Sequence, residues 1–176
     1  MDSISLLQDE LKSTHDTLEG TMADVTPEQA HWSPPGIANP VGATYAHLVL
    51  SEDMLINGIL KRQAPFFASS WANRVGLSEM MPGPEAWNDY AAWTRRVRVD
   101  LPMLRQYAQA VYANTEQYLA SLRPEDLDSQ VDLAPMTEGQ ASIGHVLGVL
   151  VVGHADNISG EISCLKGLQG SKGYPF

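Results

Sequence analysis

The sequence predicts an all-α fold, a four-helix bundle with a long connection between helices 2 and 3. Apolar residues recur at spacings of three, four or seven along four long stretches, which is the signature of helices that bury one stripe. Between the second and third stretches, from Gln63 to Pro84, that pattern breaks, with Pro65, Gly76, Pro82, Gly83 and Pro84 as punctuation. Strand signal is confined to VDLA around Val131. At 176 residues, 44% hydrophobic and 18% charged, the chain can bury one sizeable core and reads as a single domain over residues 1–176.

In the first helix Ile4, Leu7, Leu11, Leu18, Met22 and Val25 form the stripe, with Ser3 as a cap. Thr26, Pro27, Glu28 and Gln29 predict a short capped turn before a Pro-rich loop. The second helix starts near Val41. Its Tyr45, Leu48, Leu55, Ile59 line runs beside His47, Leu50 and Met54, so it is expected to be buried on more than one side. The connection that follows, about twenty residues, is of the length that serves as a lid or a crossover. The third helical region, roughly 84–122, holds Pro102 with Asp100 before it, which predicts a kink or two helices. The last helix is expected from about Gln140 to Lys166, with LQGSKGYPF as an irregular tail.

Charge excludes some function classes. Eleven Lys and Arg against 21 Asp and Glu give a net charge of −10. Such a surface repels polyanions, so no nucleic-acid partner and no membrane partner is expected. No signal-peptide pattern or membrane-spanning run is visible, and the single cysteine, Cys164, forms no internal disulfide; the expected location is cytoplasmic. Cys164 lies among Ile162 and Leu165 and is expected to be a buried, inert thiol. Gly-rich phosphate loops, GxSxG, HExxH and CxxC are absent from the sequence.

The histidines carry what chemistry remains. His31 sits in the Pro-rich loop and His15 near the first stripe, where packing accounts for both. His145 lies nine residues before His154, about 180° around an α-helix, so the two cannot share a ligand. His154 falls on the stripe of Leu147, Leu150, Val151, Ile158, Ile162 and Leu165, and His47 lies on the apolar line of helix 2. Two histidines aimed inward from different helices suit either a bundle-core metal site or a hydrogen-bonded core pair. Glu161, seven residues after His154 and about 20° around the helix, can present a carboxylate to the same region. Trp32, Trp71, Trp87 and Trp93 serve a pocket or the core.

WSPPGIANPVGATYAHLVLSED followed by GHADNISGEISCLKGLQGSKGYPF resembles the DinB-like superfamily of bacterial four-helix-bundle proteins. The resemblance implies a divalent metal, zinc or nickel, held by one histidine of the second helix and two of the last. His47 and His154 take the first two of those positions. Ile158 stands at the third, so a third ligand is expected from Glu161, from Asp156 off the main stripe, or from a carboxylate on another helix. It further implies a homodimer and a metal-dependent S-transferase, isomerase or hydrolase acting on a small-molecule substrate with a low-molecular-weight thiol such as mycothiol, bacillithiol or glutathione. The alternative is a non-catalytic member, a small-molecule-binding or dimeric interaction protein whose metal site has decayed.

Overall fold

The computed structural model describes residues 2–134, 136 and 139–176. Helix α1 (Ser3–Met22) is capped by Asp2 rather than Ser3, the carboxylate accepting the Ser5 N–H at 2.8 Å. Helix α2 (Pro27–His31) opens with the expected capping box between Thr26 and Gln29. His31 packs as expected: its Nε2 accepts the Val99 N–H at 2.9 Å while Nδ1 lies 2.7 Å from the Pro27 carbonyl. Helix α3 (Val41–Asp53) is buried along nearly its whole length, as its two apolar lines require. It runs on as a π-helix over Met54–Leu60, and Arg62 then leaves the helix with φ +51°.

The long connection is not featureless. It carries a 3₁₀ turn at Phe66–Ala68, an antiparallel bridge between Leu77 and Val99 and a second 3₁₀ segment at Pro84–Asp89. Helix α4 (Tyr90–Arg96) follows, then three extended residues. Asp100 then caps α5 (Leu101–Ala120), accepting the Met103 N–H at 3.1 Å, with Pro102 in its first turn. Of the two outcomes that Pro102 allowed, the chain takes two helices.

The last helical stretch begins later than expected. Gln140–Ser142 is a strand (β2) paired antiparallel with β1 (Gln130–Asp132), Val131 facing Ala141. The VDLA signal marks β1. Ser142 caps the next helix, its hydroxyl accepting the His145 N–H at 3.1 Å, and α6 (Ile143–His145) passes into a π-helix over Val146–Gly153 and then into α7 (His154–Leu168). VLGVLVVG is apolar on every side, so side-chain pattern holds no information on whether its turns are α or π.

Helix α1 packs against α5 and α7, and α3 packs against the same two, which closes a four-helix bundle. Trp93, Tyr45, Tyr107, Leu48 and Leu104 lie fully buried in the larger core cluster, and the two π-helical segments pack together in a second one. Cys164 is exposed, not buried. The inward position beside it goes to Lys166, whose ammonium donates to the Thr21 carbonyl (2.6 Å), Asp24 Oδ1 (2.5 Å) and the Gly173 carbonyl (3.3 Å). No helix of the described chain is long and apolar enough to cross a membrane.

Gly76 fixes the connection to the start of α5. Its φ is +86°, its carbonyl accepts the Asp100 N–H at 2.8 Å, and an added Cβ would lie 2.7 Å from the Leu104 nitrogen. Gly76→Ala is therefore expected to cost on the order of 1–3 kcal/mol. Urea unfolding measures it, and an unchanged midpoint would contradict this reading.

Candidate functional site

Helices α3 and α7 bring His47 and His154 together as expected. Their ring centroids are 5.1 Å apart with the planes at 77°. His47 is enclosed further by the edge contact of Tyr90 (5.4 Å) and by Trp87 (6.2 Å), and its Nδ1 lies 3.3 Å from the Met81 sulfur. Burial disfavours the imidazolium. It pushes His47 down to about 4, with the neighbouring His154 adding to the effect. His154 is lowered too, again by burial, against a partial pull upward from Glu52. At neutral pH the pair is two uncharged imidazoles.

Two cavities meet at this pair. One, of about 540 Å³, is walled by Leu50, Met54, Phe67, Met81 and Trp87 together with Pro82–Pro84 from the long connection, with His47 and Ser51 as its polar groups. The other, of about 380 Å³, lies toward the π-helical segment of the last helix, between Leu55, Leu133 and Leu150, with His154 and Asn157. His47, Ser51 and Met136 belong to both. These are volumes for a small molecule, mostly apolar with a few converging polar groups. A shallower hollow of about 530 Å³ over Gly76, Arg98 and the start of α5 is remote from the histidines in its lining.

Glu161 is half-buried on α7. Burial raises its carboxyl, and its charge, after burial, helps push the Tyr90 hydroxyl up to about 12. It therefore lies toward Tyr90, at the edge of the His47 aromatic enclosure. Ile158 is buried in the core. Among the described residues no group of three or more His, Cys, Asp or Glu is placed to hold a metal ion. The donors that do converge are two imidazoles and a thioether. A divalent centre of the three-ligand kind does not fit them.

The model of the DinB superfamily matches residues 10–157. This chain belongs to the DinB superfamily. The fold is similar to the crystal structure of a conserved protein from Enterococcus faecalis, with a TM-score of 0.79 and 23% sequence identity. That likeness, over 96% of this chain and 97% of the other, is one of fold. No curated protein is found to match the chain.

Behind the histidines this DinB-superfamily bundle carries two adjacent acidic residues that the sequence reading passed over. Glu52 is buried, accepting the Thr115 hydroxyl (2.6 Å) and His15 Nε2–H (3.1 Å), while the His15 ring stacks on Tyr112 at 3.9 Å. Asp53 is wholly buried and takes four donors. Its Oδ1 accepts from Asn57 (2.7 Å) and the Phe66 N–H (3.0 Å), its Oδ2 from the Phe67 N–H (3.0 Å) and the Tyr107 hydroxyl (2.6 Å). A Ser-Glu-Asp run inside an otherwise apolar helix was the available signal, since charges there demand partners.

The lowered His47 value makes stability depend on pH. Between the ordinary value of 6.5 and about 4, the unfolded chain binds a proton that the folded chain refuses. The contribution is therefore fully present above pH 6.5 and is lost as pH falls through that window, by on the order of 3 kcal/mol for His47. Urea unfolding at a series of pH values should show the decline, and His47→Leu should flatten it. An equal decline in the variant would contradict the assignment.

Proposed function

We propose that this chain is a small-molecule-binding member of the DinB superfamily, whose site works through two neutral imidazoles at the meeting point of two apolar cavities. The observation that carries this is the facing of His47 and His154, 5.1 Å between centroids, under a wall supplied by the long connection. A neutral imidazole offers one donor and one acceptor, so the pair can bind a polar group of a ligand whose body fills the apolar space. The thiol-transferase reading depends on a metal to activate the thiol, and with Ile158 at the third ligand position the converging donors favour the binding reading.

The test combines ligand and metal. Nile red, an apolar dye, should bind one per chain with a blue-shifted emission, and Met54→Trp, which fills the larger cavity, should abolish it while leaving the unfolding midpoint within a few degrees. After dialysis against zinc or nickel, elemental analysis should find well below one ion per chain. One ion per chain, lost in His154→Ala, would replace this reading with the metal-dependent one.

A further inference from the structure

We propose that the molecule this site takes is uncharged and flat, a ring-bearing compound with one hydrogen-bonding group directed at His47 and His154; this rests on the binding reading above. Charge is decided by the walls. Among the described residues that line the two cavities there is no Asp, Glu, Lys or Arg, and the two histidines are neutral. Among those described residues, an anion carried in would lose its hydration with no cation to meet it, and a cation would meet no carboxylate. The net charge of −10 opposes an anion at long range as well. Thiols bearing carboxylates, glutathione among them, are excluded on the same ground.

Shape is decided by the kind of apolar wall. Trp87 lines the larger cavity, half exposed, and is held by stacking on Tyr90 at 4.6 Å and 11°. Phe67 stands in the same wall, and Met54, Met80, Met81 and Met136 add four thioethers. Sulfur and aromatic surfaces favour an aromatic ring over a saturated one, and the unbranched methionines adjust to its edge. The polar groups, by contrast, are few and gathered at one place, the histidine pair with Ser51 and Asn157. One polar substituent on a flat body matches that distribution.

A matched series titrated into the full chain at pH 7 tests this by calorimetry: naphthylmethanol, naphthoate, naphthylmethylammonium and cyclohexylmethanol. Naphthylmethanol should bind one per chain, at least about tenfold more tightly than either charged analogue and more tightly than the saturated alcohol. His47→Leu should remove the advantage of naphthylmethanol over naphthalene, titrated alongside as the ring without its polar group. Trp87→Leu, at a half-exposed position, should erase the preference for the flat ring. Naphthoate or the ammonium compound binding as tightly as the alcohol would overturn the charge assignment while leaving the pocket reading intact. Equal binding of cyclohexylmethanol would overturn the assignment of shape. Failure of every member to bind would overturn both this inference and the reading on which it rests.

Discussion

The buried carboxylate of Asp53 is the constraint on which the site depends. A carboxylate removed from water is tolerated only where donors replace its hydration. Here the four come from three places: Asn57 one turn on, Tyr107 of α5, and the Phe66 and Phe67 amides at the start of the long connection. Satisfying one side chain thus fixes where α5 lies against α3 and where the connection returns to the bundle. Asn57 is in turn held by Asn114, which accepts from Lys61 at 2.7 Å, so a chain of polar contacts leads from the buried acid to a cation at the end of the π-helical segment. Phe67, carried by the held turn, then becomes part of the cavity wall.

That wall is what makes the histidines behave as they do. His47 is closed in by Met81, Trp87 and Tyr90, all supplied by the connection and α4, and the loss of water lowers its proton affinity. The same enclosure leaves an apolar space beside two uncharged imidazoles. Geometry, protonation and the character of the cavity are therefore consequences of one packing arrangement, and two uncharged imidazoles in an apolar enclosure offer hydrogen bonds that such surroundings strengthen.

Much of this was legible in the sequence because it rests on periodicity. The bundle, the burial of α3 on two sides and the convergence of His47 with His154 follow from which residues share a stripe, while the family follows from the resemblance of the segments around His47 and His154. What periodicity does not encode was missed. The run Val146–Gly153 is apolar all round, so neither its π-helical winding nor the later start of the last helix leaves a pattern. Cys164 is exposed where a buried thiol was expected, and Lys166 beside it is buried because it finds Asp24 and two carbonyls inside, Asp24 and Thr21 being partners that no local window shows. The roles of Glu52 and Asp53 depended on partners up to 63 residues away.

The most direct test of this account is hydrogen exchange at the Phe66 and Phe67 amides in Asp53→Asn. Asparagine keeps the shape but turns one acceptor into a donor, so at least one of the two amides loses its partner. The account predicts exchange at one or both faster by about tenfold or more, with the amides of α1 and α7 still protected. Unchanged protection at both positions would contradict it, because the wall over His47 would then be held by something other than Asp53.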